Sequence, residues 1–293
     1  MTTTTDHSRQ NTPLTLVLGG TGKTGRRVVD RLARRGVPTR VGSRHGAPPF
    51  DWQDRLTWPS ALAEVQVVYV SFAPDLAVPG ACTTVDDFAR TAVAGGVRRL
   101  VLLSGRGEPE AQQAEEVVRA AAAAGGAACT VVRSSWFAQN FSEDHLAEGV
   151  LAGTLALPVD AVPEPFVDAD DIADVAVAAL TDPRHDGETY EVTGPRLLTF
   201  SQALGEIAEA TGRPLEFESL TISAYQDLLR GYDVPPDVVQ LLGYLFTEVL
   251  DGRNAWLGDG VQRALGREPR DFRDWARDTA ATGVWTPERV GSR

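Results

Sequence analysis

Short apolar runs rich in β-branched residues alternate with amphipathic stretches through the first half of the chain, and glycines or prolines separate them. Residues 14–18 form such a run, and apolar positions then recur at helical spacing through Val28, Val29, Leu32 and Ala33. The unit runs to about residue 35 and stops at Gly36. A short strand follows at 39–41, then a weak one at 56–58. Residues 67–72 are apolar almost throughout, as a strand buried on both faces requires. The pattern then gives helix 84–94, strand 100–103, helix 108–124 and strand 130–133. Strands alternating with helices, without hairpin signals, predict an α/β, doubly wound parallel sheet.

The rhythm changes after Gly149. Pro158, Pro163 and Pro165 mark irregular chain, and Asp168, Asp170 and Asp171 lead into a helix over 172–180. Acids at a helix start are explained by capping and by the helix dipole, so no metal site is expected there. Residues 189–192 read as a returning strand, and the rest is mainly helical: 201–211, 223–230, 237–250, 261–265 and 271–281. The reading therefore divides the chain into a polar, disordered start (1–12), a nucleotide-binding part (13–195) and a smaller, mainly helical substrate part (196–293).

The junction between the first strand and helix carries the chemistry. Gly19, Gly20, Thr21, Gly22, Lys23, Thr24 and Gly25 fit both G-x-G-x-x-G and an offset G-x-x-G-x-x-G. One glycine permits the tight turn, one lets a pyrophosphate approach the backbone, and one lets helix and strand pack closely. Gly22-Lys23-Thr24 is also the tail of a triphosphate-binding loop, but that loop needs a glycine where Val17 stands. The dinucleotide reading holds, as in a Rossmann fold. About 20 residues on, where an acid would hold the ribose 2′-hydroxyl of NAD, the second strand ends in Ser43 and Arg44. A hydroxyl and a guanidinium suit a 2′-phosphate, so NADP(H) is the expected cofactor. Phe72 and Ala73, at the end of 67–72, lie on the carboxyl edge of the sheet, as do Ser104 and Gly105 after 100–103. Trp136 and Phe137, after 130–133, are placed against the nicotinamide.

Composition narrows the function further. A net charge of −12 leaves no basic face for a nucleic acid. No apolar run reaches the length of a membrane span, and residues 1–6 lack the basic start and apolar core of a signal peptide. Cys82 and Cys129 have no metal-ligand spacing and read as reduced thiols of a cytoplasmic protein. Lys23 is the one lysine among 28 basic residues, so a lysine base or Schiff base elsewhere is excluded. A small-molecule substrate is expected; self-association is left open.

With these stretches in place, the chain resembles the NmrA-like branch of the atypical short-chain dehydrogenase/reductases. The resemblance rests on Leu18 to Gly25, Arg44, Phe50-Asp51-Trp52 and Leu102 to Gly105. It continues in Val132 to Asn140, Asp170 to Ala173 and Tyr190 to Pro195. Within that branch it is similar to the group containing ergot-alkaloid iminium reductases and bacterial relatives. The resemblance implies an NAD(P)-binding reductase. Ordinary short-chain dehydrogenases use a Tyr-x-x-x-Lys pair beside a serine. Here no tyrosine lies between Tyr69 and Tyr190 and no lysine follows Lys23, so Ser104 stands at the family serine without its partners. Ser104 and His145 are the candidate catalytic residues, with the hydroxyls of Tyr225, Tyr232 and Tyr244 as further proton donors. The expected reaction is hydride transfer from NADPH to an activated acceptor, an iminium ion or a quinone-like ring. The alternatives are a non-catalytic NADP(H) sensor that binds a regulatory protein, and a redox-neutral isomerase or cyclase.

Overall fold

A computed structural model of the chain describes residues 12–144, 146–159 and 161–287. The expected disordered start falls, except for Thr12, outside the described residues, as does His145.

Six strands form one parallel sheet: β1 (Leu14–Leu18), β2 (Thr39–Gly42), β3 (Val65–Val70), β4 (Arg99–Gly105), β5 (Ala128–Ser134) and β7 (Thr189–Val192). A separate parallel pair joins β6 (Thr154–Leu157) to β8 (Glu216–Ser219). The large sheet runs β2-β1-β3-β4-β5-β7, so the direction of winding reverses at β1, and the crevice above the carboxyl ends of β1 and β3 is the switch point. The doubly wound α/β reading therefore holds.

Alternation along the strands sorts the core into two layers. Leu16, Leu18, Val68, Val70, Leu100, Leu102 and Val131 pack with α3 (Ala81–Ala94) and α4 (Pro109–Ala124) on one face. Val17, Val67, Tyr69, Val101 and Val132 pack on the other face, with α1 (Lys23–Arg34), α7 (Ala169–Thr181) and Val261 of α11 (Gly260–Leu265).

The expected strand at 56–58 is instead a turn of 3-10 helix, Arg55–Thr57, leading into α2 (Trp58–Leu62). Asp54 caps it by accepting the Leu56 N–H at 3.1 Å, and Pro59 suits the first turn of a helix. Trp58 is buried against Phe50, Trp52 and Phe88, and its indole N–H donates to the Asp51 carbonyl at 2.8 Å. Leu56 stays exposed, so nothing here alternates as a strand would.

A third core is built around aromatic rings. Phe141 and Phe166 meet Phe200 of α8 (Phe200–Thr211) and Phe272 of α12 (Phe272–Ala281). It also takes in β6 and β8, α5 (Asn140–Glu143), α6 (Leu146–Ala152), α9 (Ile222–Gly231) and α10 (Pro236–Tyr244), which continues as a π turn over Leu245–Val249. Residues 138–166 thus pack with 198–285, while α11 returns to the sheet. Among the described residues, no helix is long and apolar enough to cross a membrane.

Candidate active site

The glycine turn closes directly on β1. Gly19 has φ +63°, a conformation that disfavours a side chain, and its carbonyl accepts the Gly22 N–H at 2.8 Å. Gly25 meets that carbonyl at the start of α1: a Cβ on Gly25 would lie 2.1 Å from the Gly19 oxygen. Gly22 caps α1 with no side-chain hydrogen bond, and the first turn holds no acid. The N–H groups and positive dipole end of this 12-residue helix are therefore left for an external anion. The start of α7 is the opposite case. Asp168 accepts the Asp170 N–H at 2.9 Å and the Arg270 guanidinium at 2.9 Å, while Asp170 and Asp171 pair with Arg31 and Arg267.

The remaining candidates divide by what they touch. Thr24 is buried under the turn, where its hydroxyl accepts the Tyr69 hydroxyl proton at 3.0 Å and ties α1 to β3. Thr21 is exposed. Lys23 donates to Asn140 at 2.8 Å, pairs with Asp144 and lies 5.9 Å over the Phe137 ring, joining the turn to the segment after β5. Arg26 and Arg27 extend this clamp to Glu143, and Arg31 extends it to Asp170 and Asp174. Ser43 is half-buried at the β2 tip. Arg44 is exposed and makes no side-chain hydrogen bond or ion pair with any described residue. Ser71 and Phe72 follow β3. Ser71 lies against Gly19, and Phe72 packs on Trp52 at 4.9 Å between ring centroids. Ala73 is exposed beside them.

At the end of β4 the structure differs most from a bare serine site. Ser104 is buried and donates its hydroxyl proton to Glu115 Oε1 at 2.6 Å. Arg133 grips Glu115 with two nitrogens and donates to Glu191 at 2.5 Å; Glu191 also accepts Arg106 Nε at 2.9 Å. Arg106 lies 4.1 Å under the Trp256 ring. The Ser104 proton is thus committed to a buried ion network. Gly105 is overlain by the Glu108 carboxyl, 2.1 Å from where a Cβ would stand. The sequence reading missed Glu108, Glu115, Arg106 and Glu164. Charged residues at these positions look like solvated surface until the fold buries them.

Trp136 turns toward the aromatic core, 5.3 Å from Phe246 and 5.6 Å from Phe200, whereas Phe137 packs on the sheet side. The Trp136 N–H reaches Glu164 Oε1 at 3.4 Å, while Glu164 Oε2 and Arg106 Nη1 are buried without hydrogen-bond partners among the described residues. Burial pushes the Glu164 carboxyl up to about 7, against the opposing pull of that N–H and of Arg106. The folded state thus keeps a proton that the unfolded chain releases near 4.5. This contribution to stability is present below that value and lost as pH rises through about 7. Glu164→Gln is expected to be more stable than the native chain above neutrality, by up to about 3 kcal/mol, with the gap closing in acid. Urea denaturation across a pH series checks it.

Of the other hydroxyls, burial pushes Tyr225 up to about 12, and Tyr232 is largely exposed. Tyr244 donates to Glu110 of α4 at 2.6 Å and lines a groove of 630 Å³ between α9 and α10, with Ile222, Val239 and Gln226.

Comparison with known proteins agrees with the fold. Residues 109–275 match the NmrA-like family. An uncharacterized oxidoreductase, YesF, of Bacillus subtilis is 30% identical over 92% of this chain and 97% of its own. Agroclavine dehydrogenase of Claviceps fusiformis is 30% identical over 92% of this chain and 98% of its own. In fold, the chain is similar to the NADPH-dependent quinone oxidoreductase QOR2 of Escherichia coli, solved with NADPH. The TM-score is 0.74 at 16% identity, covering 90% of this chain and 99% of that one. The enzyme class expected from the residues agrees with relatives named for oxidoreductase and dehydrogenase activity over nearly their whole lengths, and the chain belongs to the NmrA-like family.

Proposed function

We propose that the protein is an NADPH-dependent reductase of small, electron-poor acceptors, iminium ions or quinone-like rings. One observation carries the cofactor reading: an uncapped, acid-free helix start over a glycine turn, with an unpaired arginine at the tip of the next strand. Gly19, Gly20, Gly22 and Gly25, with the N–H groups of Thr21 to Thr24, would hold the pyrophosphate. Ser43 and Arg44 would take the 2′-phosphate. With that end fixed beside β2, the nicotinamide half would be held by Phe72, Ala73, Ser104, Gly105, Trp136 and Phe137 at the ends of β3, β4 and β5. When bound, the reduced nicotinamide supplies hydride.

The chain's own residues position and enclose. Ser104, its proton spent on Glu115, offers lone pairs and shape rather than acid. Without a tyrosine acid, rate comes from orientation and from an acceptor already short of electrons. The clavine relative, named a dehydrogenase, and the fold neighbour, named a quinone oxidoreductase, support this range of acceptors.

Titration with NADPH and NADH is expected to show weaker NADH binding. Arg44→Ala is expected to weaken NADPH by about 1.5–3 kcal/mol, the worth of a hydrogen bond to a charged group. Equal affinity for both in the native protein overturns the NADP assignment. NADPH consumption against quinones, cyclic imines and simple ketones tests the acceptor range. Tight binding with no acceptor reduced moves the assignment to a nucleotide sensor.

A further inference from the structure

Three hydroxyls near the carboxyl ends of the central strands are already in use. Tyr69 donates to Thr24, Ser104 to Glu115, and Ser135 to the Pro165 carbonyl at 2.5 Å. Two carboxyl groups stand in their place. Asp75 follows β3 and Glu108 follows β4, neighbouring parallel strands in register at Val70 and Leu102. The end of β3 also adjoins the glycine turn, since a Cβ on Gly19 would lie 3.4 Å from that of Ser71. Glu108 is buried and leans over Gly105, where any side chain would displace it.

Burial raises both carboxyls, and they stand close enough to interact, an arrangement that favours a proton on one of them. Asp75 Oδ1 already accepts the Ala77 N–H at 2.8 Å, which makes Asp75 the acceptor and leaves the proton on Glu108. Burial, then the Asp75 charge, push Glu108 far above the ordinary carboxyl range. Glu110 on α4 adds to the effect, and Tyr244 faces the same group from α10. Arg253 comes near through the Gly107 carbonyl, at 3.4 Å. Tyr244, whose hydroxyl donates to Glu110 at 2.6 Å, is also a wall of the 630 Å³ groove.

We propose that Glu108, partnered by Asp75, is the proton donor for reduction of neutral conjugated acceptors such as quinones and enones. This rests on the reductase reading above and supplies the proton that its neutral acceptors need and its iminium acceptors do not. In the step, the acceptor takes two electrons and one hydrogen as hydride from a reduced nicotinamide. Its developing oxyanion forms an O–H bond with the Glu108 proton. Glu108 becomes a carboxylate, the nicotinamide is left oxidised, and solvent returns the proton through half-buried Asp75. An N-alkyl iminium ion needs hydride alone, and so serves as the internal reference.

The test compares the full-length protein with Glu108→Gln, using NADPH with menadione and with N-methyl-3,4-dihydroisoquinolinium. The menadione-to-iminium rate ratio is expected to fall about a hundredfold or more in Glu108→Gln, the usual worth of a general acid. Asp75→Asn, which removes the acceptor facing that proton, lowers the same ratio. A second readout is free of turnover: the infrared difference between native protein and Glu108→Gln at neutral pH shows a protonated carboxyl. An unchanged ratio with both acceptors reduced, or absence of that band, overturns the proton donor and leaves the reductase standing. No oxidation of NADPH with either acceptor overturns the reductase reading, and the proton step with it.

Discussion

Gly25→Ala is expected to abolish measurable NADPH binding, a loss of at least about a hundredfold, and to lower stability by about 1–3 kcal/mol. The added methyl would stand 2.1 Å from the Gly19 oxygen, 2.6 Å from the Gly19 carbonyl carbon and 2.8 Å from Gly20 Cα. All three are backbone atoms, so no rotamer change relieves the contact. The chain must open the turn, and the N–H groups that would face a pyrophosphate lose their common direction. Gly36→Ala is the comparison. Gly36 has φ +67° at the end of α1, but a Cβ there would meet nothing within 4 Å. It is expected to cost about 1 kcal/mol of backbone strain and to leave NADPH affinity intact. Fluorescence titration and thermal melts on the two variants separate a blocked turn from a merely strained one.

Arg133→Met is expected to destabilise the fold by about 3–5 kcal/mol, the cost of breaking a buried ion pair from one side. Arg133 is the hinge of the network, gripping Glu115 with two nitrogens and Glu191 with a third. Hydrogen bonds to Glu115, more than opposing desolvation, hold its guanidinium above the ordinary range. Without it, Glu115 keeps, among the described residues, only the Ser104 hydroxyl while 4% exposed. The double variant Glu115→Gln/Arg133→Met is expected to recover much of the loss, because the stranded charge is gone. An exposed pair such as Arg277 with Asp274 is expected to cost less than about 1 kcal/mol when broken. Urea denaturation of the native protein, Glu115→Gln, Arg133→Met and the double variant gives the coupling directly.

The sequence by itself determined the sheet and the glycine turn. Residues 15–18, 67–70, 100–102 and 130–132, the centres of the apolar runs, are buried on both faces, so their composition alone marks them. The glycine spacing is local, and so are its consequences, the φ of Gly19 and the approach of Gly25 to its carbonyl. The strand expected at 56–58 failed for an equally local reason. A capping Asp54 and Pro59 outweigh two apolar residues whose side chains go opposite ways, Trp58 inward and Leu56 to solvent. The ribbon of β6 and β8 carried no usable pattern, since residues 216–219 read Glu-Phe-Glu-Ser and pair with a segment some 60 residues away.

Only the tertiary structure decided the chemistry around the strand ends. Ser104 and Glu115 are eleven positions apart, Arg133 and Glu191 fifty-eight, and nothing in their spacing says that they meet. The parallel crossovers bring them to one edge, where burial turns ordinary charged residues into a fixed network. The same burial acts on Asp75 and Glu108, unremarked acids after two strands, and raises both carboxyls. Local sequence sets backbone conformation because sterics and hydrogen bonding act within a few residues. Protonation and charge pairing depend on which side chains lose water together, and that is set only when distant segments close over one another.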